Sequence, residues 1–451
     1  MNRKMPLWLL VLVVFLGINA TVLFGWSVRR TIIVPGLYEG PRGSIVLAIA
    51  SYPSLVRDAL YEVGLLTKTG EELPPQLVLN DFPGIDGFKK YGLVQPGALN
   101  DNGYLLLSRW DKRRGQVITQ LIRIRDQKVV YEWKPDLYKL FSVVEESLER
   151  FRILHPLLLK DGGLVFTSEL SDIVKLNVCS DLTWRLNGNF HHAKEQDADG
   201  NIWTSALAKN KSIEELSSHA DYFDETIVKI SPDGKLLLER SVIEILEENG
   251  LSGLVFGVKV IENDLLHLND VQPALDSTRY WERGDLLISL RHISTVLLYR
   301  PSINKIIWSK IGPWLNQHDA DFFGESEIIV FGNDNFRTRY TNEGPIKGGH
   351  NKVYRFDLAN KRVSALNAEV MKRIDIRTRA EGLQRMLKNG DIFIEETLRG
   401  RLLRISKQDV VWEFTARVSD NAVSLLHWSR YLTEDQVKDI LPILSSANCE
   451  P

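Results

Sequence analysis

Residues 265–331 read LLHLNDVQPALDSTRYWERGDLLISLRHISTVLLYRPSINKIIWSKIGPWLNQHDADFFGESEIIVF. Short apolar runs alternate here with polar turns. DLLISL, TVLLY and EIIVF are rich in Leu, Ile, Val and Tyr, residues that suit a pleated, partly buried surface, and they read as β-strands. His267, Arg291 and His318 stand at the ends of these runs or beside them. That is where a rigid sheet holds reactive groups while irregular chain shapes a pocket around them.

The same grammar extends outward in both directions. NDNGYLLLSR, VITQLIRI and VVYEWKPD form one unit, and LLLKDGGLVFTSE, IVKLNVC and LTWRLNG the next. Comparable triplets begin at DADGNIWTSA, RGDLLISLR, GESEIIVFGND and LKNGDIFIEE, making six units over residues 91–430. Such repetition predicts an all-β fold, a six-bladed β-propeller whose radial sheets protect their edges. LYKLFSVVEESLERF and RSVIEILEENG read as helical insertions, the second closed by Asn249-Gly250. In residues 31–90, a linker, SLVRDALYEVGLL has helical spacing. TEDQVKDILPIL predicts a helix in the tail, 431–451, from the capping-box spacing of Thr433 and Gln436.

Residues 1–30 differ in kind. PLWLLVLVVFLGINATVLFGW carries no charge and is long enough to span a hydrocarbon core of ~30 Å. The apolar run exceeds that of an ordinary signal peptide, and Ile18-Asn19-Ala20 is a poor cleavage site, so an uncleaved membrane anchor is expected. Arg3, Lys4 and the terminal amine against Arg29 and Arg30 put the N-terminus inside, and hence the bulk of the chain outside the cytoplasm. At 451 residues, 44% hydrophobic and 25% charged, the chain can build a large core. Its formal charge of −2 argues against nucleic acid as a partner. Cys179 and Cys449 are free to pair in an oxidising compartment, although their spacing defines no framework.

His155, the pair His191 and His192, His267 and His318 each precede a Gly turn that opens a strand. If those strands line the channel, histidines distant in sequence meet on the axis. Taken singly, each imidazole can equally satisfy a local backbone group. The set of His192, His267 and His318 with Arg291 is harder to dismiss, whereas His219, His292, His350 and His427 lack this placement. Three imidazoles would suit zinc. A guanidinium beside a dication is unfavourable but suits an anionic substrate, so no metal is expected. Phosphate-binding loops, dinucleotide fingerprints, CxxC pairs and hydrolase elbows are missing from the sequence.

The succession HHAKEQDADGNIW, HLND, GDLLISLRHISTVLLY with IIW, and NQHD followed by IIVFGNDNFR resembles the arylsulfate sulfotransferase family of bacterial, nucleotide-independent enzymes, over roughly residues 95–417. Two positions depart from its pattern: Asp270 stands where a small residue is usual, and Gly332-Asn333 where Asp-Asn is expected. The resemblance implies a six-bladed propeller without a cofactor. It implies transfer of a sulfuryl group from an aryl sulfate to a phenolic or other hydroxyl acceptor through a sulfohistidine at His318. His267 and Arg291 would bind the sulfuryl oxygens, His192 would carry the proton, and His191, Asn269 and Asn335 would contact substrate. Trp203 or Phe190 would flank an aromatic ring or, equally, pack in the core. With the anchor, this predicts a single-pass inner-membrane protein with a periplasmic propeller. The alternative is a noncatalytic propeller that binds a protein partner or an anionic glycan.

Overall fold

The computed structural model describes residues 6–33, 45–46, 48–53, 76–91, 99–111, 114–141, 151–214, 222–257, 261, 263–337 and 344–449. The chain divides into two compact units, Met1–Glu72 and Leu73–Pro451. In the first, Leu7–Ile33 is a helix. Its segment Leu7–Arg30 has a mean hydropathy of 2.6, long and apolar enough for a membrane span or a signal sequence. Asn19 and Thr21 bond within the helix, Asn19 Nδ2 donating to the Phe15 carbonyl and Thr21 Oγ1 to that of Gly17, as polar groups in hydrocarbon require. The helix expected at SLVRDALYEVGLL falls outside the described residues.

The second unit is all-β, built of antiparallel sheets that follow one another along the chain. Leu268–Pro273, Leu286–Leu290, Thr295–Arg300 and Lys305–Ile311 form one four-stranded sheet in sequence order. Ala320–Phe323, Glu327–Gly332, Lys352–Asp357 and Arg362–Leu366 form the next. Burial explains the different textures of the strands. LLISL is buried at every position, whereas the outermost strand, KIIWSKI, alternates exposed with half-buried residues, because only its inner face meets the neighbouring sheet.

Two of the expected units share a sheet. Leu182–Gln196 is a single strand of 15 residues that pairs through its first half with Ser171–Leu176 and through its second with Ile202–Leu207, joining seven strands. Arg430–Leu432, near the C-terminus, pairs with Tyr104–Asp111 of the first sheet, so both ends of the repeated region share one sheet. The boundary drawn at residue 91 moves as well. Leu77–Leu79 pairs with Ala422–Ser424, and Gly87–Lys90 adds a fifth strand beside Val410–Thr415.

The Gly turns at Gly162, Gly284, Gly324 and Gly390 each separate the first strand of a sheet from the second, rather than opening the first. The innermost strand is the short one just after the histidine, such as Leu268–Pro273 or Ala320–Phe323. In sequence these strands are short and mix apolar residues, which enter the core, with polar ones. The residue at their entrance repeatedly has a positive φ: 39° at His155, 53° at His192, 54° at His267, 56° at Glu381 and 61° at Trp428. Register shifts follow His155, His192 and His267. A bulge of this kind re-aims a side chain out of the ladder, and the left-handed conformation of a non-glycine residue is held only where its surroundings impose it.

Of the helical insertions, Val242–Glu248 is a helix, with Ser241 capping the Glu244 amide and Gly250 at φ 74° closing it. Leu137–Phe141 begins the other, whose continuation lies outside the described residues. The tail makes two short helices, Glu434–Val437, with the capping box of Thr433 and Gln436, and Leu441–Ser446. Val437, Ile440 and Leu444 enter the core beside Leu164 and Leu176. Cys449 is disulfide-bonded to Cys179, 270 residues away.

Candidate active site

The inner-strand entrances bring six side chains together. The ring of His192 lies 5.0 Å from that of His267 and 6.4 Å from that of His318, and His267 and His318 are 6.1 Å apart. Trp428 presents its ring at 5.7 Å from His192 and 5.8 Å from His318. Its Nε1 donates to Glu381 Oε2 at 3.3 Å. His155 meets Trp428 at 5.7 Å but is not among the three histidines whose nitrogens converge within 4.8 Å.

His318 is 1% exposed, and its tautomer follows from its neighbours. Asn333 Nδ2 donates to the carbonyls of Thr378 at 3.2 Å and Glu381 at 2.7 Å, which leaves its Oδ1 toward His318 Nδ1, 2.6 Å away. An amide oxygen only accepts, so His318 carries its proton on Nδ1. The lone pair is then on Nε2, which accepts a hydrogen bond from the Glu381 amide at 3.2 Å; a substrate at Nε2 takes the place of that donor. Burial, and after it the charge of Arg291, holds the His318 pKa well below the usual imidazole value. The ring is therefore a neutral base at neutral pH.

The other members of the sequence motifs align the strands. Asn269 Nδ2 donates to the Gln317 carbonyl at 2.9 Å, and Gln317 Nε2 reaches Ser289 Oγ at 3.2 Å and the Leu290 carbonyl at 3.2 Å. The residues preceding His318 and Arg291 are thus tied to each other and to the strand after His267. Asn269, expected at substrate, gives its Nδ2 to this scaffold, while its buried Oδ1 has no hydrogen-bond partner among the described residues. Asn335 is fully buried, and its carbonyl accepts from Asn316 Nδ2 at 2.7 Å.

Arg291 is 3% exposed, and its Nη1 donates to His292 Nε2 at 2.8 Å. His292 in turn gives Nδ1–H to the Asp264 carbonyl at 2.9 Å and stacks on His267 at 4.6 Å. His267 Nδ1 lies 2.5 Å from Asp264 Oδ2. On the opposite side, His191 Nδ1 and His192 Nδ1 are 2.6 Å apart, and Lys194 Nζ fixes the His192 carbonyl at 2.5 Å. Burial, then neighbouring positive charge, lowers both pKa values, that of His191 to about 3 and that of His192 well below the ordinary value. His192 is therefore not the near-neutral proton carrier expected of it. The three converging nitrogens have a spacing a metal ion could bridge, but the charge of Arg291 at His318 favours an anion there.

The Arylsulfotransferase (ASST) family model matches residues 155–417, more than half of the chain, and spans this cluster apart from Trp428. The chain belongs to the arylsulfotransferase family. Among solved structures it resembles a protein of unknown function from Bacteroides caccae, with 14% identity over 74% of this chain and 99% of that one, at a TM-score of 0.47. TolB from Acinetobacter baumannii matches with 10% identity over 75% and 69%, at a TM-score of 0.44. A catalytically inactive virginiamycin B lyase from Staphylococcus aureus matches with 12% identity over 74% and 90%, at 0.40. No curated protein matches the chain.

Several residues of this cluster were not expected in it from the sequence. Asn333 carried a signal, standing in the run that follows the Gln-His motif. His292 adjoins Arg291 but was set aside with the surface and core histidines. Glu381, Trp428 and Asp264 lie in segments without a motif, and only the inner-strand geometry brings them in. Of the two alternatives for Trp203 and Phe190, both residues take the core one; Trp203 donates to Asp197 Oδ2 at 3.2 Å.

Proposed function

We propose that this member of the arylsulfotransferase family is a six-bladed, membrane-anchored, nucleotide-independent sulfotransferase. It passes a sulfuryl group from an aryl sulfate to a hydroxyl acceptor through sulfo-His318. The observation that carries the reading is the neutral, buried His318 with Nδ1–H pinned by Asn333, beside His192, His267 and Arg291. Its Nε2 lone pair attacks sulfur. Sulfuryl transfer, by analogy with phosphoryl transfer, has a loose transition state governed by positioning and by stabilisation of charge on oxygen. Arg291 supplies that charge, and the imidazoles of His192 and His267 complete the cradle.

Asn333 also bears on the intermediate. An amide oxygen cannot take the Nδ1 proton, so the sulfated ring stays an imidazolium and leaves readily when the acceptor attacks. The apolar helix supports an anchor. The Cys179–Cys449 disulfide supports an oxidising compartment, such as the periplasm, for the sheet-bearing unit.

The test is mass spectrometry of the full chain in detergent after brief exposure to 4-nitrophenyl sulfate, beside release of nitrophenol with and without phenol. The expected result is a sulfuryl adduct on the peptide holding His318 and acceptor-dependent turnover, both lost in His318→Asn. Turnover that persists in His318→Asn without an adduct would remove His318 from the role of nucleophile. Release without need of an acceptor would make the chain a sulfatase.

A further inference from the structure

Transfer through a histidine needs a proton that the enzyme lends and recovers. In the first half-reaction the aryl oxygen leaves with the electron pair of its bond to sulfur. In the second, the acceptor hydroxyl surrenders a proton as its oxygen bonds to sulfur. His318 serves neither purpose, since its Nδ1–H is held by Asn333 and its Nε2 is the nucleophile. Nor does His192, which shares a hydrogen bond with His191 in surroundings that favour two neutral rings.

His267 differs from both. Its Nδ1 rests on the Asp264 carboxylate at 2.5 Å, and Nε2 remains for substrate. The two side chains are 23% and 26% exposed, so the pair lies at the open side of a cluster whose nucleophile is buried. Its position is fixed from several directions. His292 stacks on its ring while donating to the Asp264 backbone. Glu225 receives the Leu268 amide on both carboxylate oxygens at 2.8 Å. The charged or titratable groups facing the pair are His191, His192, His318, His292, Arg291, Arg337 and Glu225. Burial would raise the Asp264 pKa, but the hydrogen bond and charge of His267 outweigh it and keep the carboxyl ionised.

Resting on the sulfotransferase reading above, we infer that Asp264 and His267 form the proton-carrying dyad of the reaction, with His267 the catalytic acid and base and Asp264 its positioning residue. In the first step His318 Nε2 bonds to sulfur, the bond from sulfur to the aryl oxygen breaks, and the His267 Nε2 proton passes to that oxygen, releasing a phenol. His267 is left neutral, its Nδ1–H donated to Asp264. In the second step the acceptor oxygen bonds to sulfur, the N–S pair returns to His318, and the acceptor proton goes to His267 Nε2. The cycle closes without net uptake or loss of a proton.

The experiment compares two donors in single turnover with the full chain in detergent. 4-Nitrophenyl sulfate releases a stable anion that needs little help from an acid, whereas phenyl sulfate releases a basic phenolate. General acid catalysis contributes about 10²–10⁴-fold. Asp264→Asn, nearly isosteric, is expected to lose about 10²-fold or more on phenyl sulfate and only a few-fold on 4-nitrophenyl sulfate. Asp264→Glu, which keeps the carboxylate, should recover part of the phenyl sulfate rate. His267→Gln should reproduce the split between donors and carries the comparison if Asp264→Asn does not fold. Equal losses on both donors, or no loss on either, would overturn the dyad while leaving the sulfotransferase reading intact. A wild-type chain inactive on both donors would overturn that reading, and the dyad with it.

Discussion

Replacing Asn333 with Asp tests what makes His318 a nucleophile. The side chain is fully buried, with Oδ1 2.6 Å from His318 Nδ1 and Nδ2 on the carbonyls of Thr378 and Glu381. Asp keeps the size and the acceptor but adds a charge in contact with the ring. A carboxylate at such a distance raises the pKa of a neighbouring base by about 1–3 units. His318 attacks only when neutral, so the sign is fixed: the acid limb of the pH-rate profile moves up by that amount. One unit above the wild-type limb, ~90% of the rings are neutral; a shift of 1 unit leaves ~50% and a shift of 3 units ~1%, so the rate falls about 2-fold to about 100-fold. The variant also takes the Asn333 donor from the Glu381 carbonyl, at about 1–3 kcal/mol, while the Thr378 carbonyl keeps Asn351 Nδ2 at 3.0 Å, so thermal melting must accompany the kinetics. The assay is single-turnover release of nitrophenol from 4-nitrophenyl sulfate across pH. An acid limb that stays in place in a folded Asn333→Asp protein would refute the assignment of that limb to His318 and of its control to Asn333.

Asn269→Ala removes the donor that holds the Gln317 carbonyl at 2.9 Å, so kcat should fall with little change in KM and stability should drop by about 1–3 kcal/mol; a raised KM at unchanged kcat would instead mark Asn269 as a substrate ligand. Cys449→Ser opens a link across 270 residues, and the expected loss is about 2–4 kcal/mol by urea or thermal unfolding. For the native chain in intact cells, alkylation without reductant should leave both cysteines unmodified, and labelling at either would contradict an oxidising location.

The motifs that reveal the family are local in sequence, and so His192, His267, Arg291 and His318 are legible there. Each precedes or follows a strand whose apolar pattern is set by which face meets a neighbouring sheet. The apolar helix is legible for a similar reason, because its length and composition are properties of a single segment. The innermost strands are not legible. LNDVQP and ADFF are short and interrupted by polar residues, so hydrophobic periodicity assigned the first place to the strand after the Gly turn. The union of two units through Leu182–Gln196 escaped notice because strand pairing is decided by partners distant in sequence.

Protonation depended most on tertiary structure. The resemblance assigned His192 the proton, a role that suits an imidazole with its ordinary pKa. Burial, the largest cause of the lowered pKa at His192 and His318 alike, exists only once the inner strands have closed around the rings. The same closure brings Asn333 to His318 and Glu381 to Trp428, pairings that no local spacing encodes. The chain by itself determined which chemical groups are available and roughly where along each strand they stand. The tertiary structure decided which of them meet, which nitrogen keeps its proton, and which carboxylate stands behind which imidazole, because desolvation and hydrogen-bond direction are properties of the assembled site.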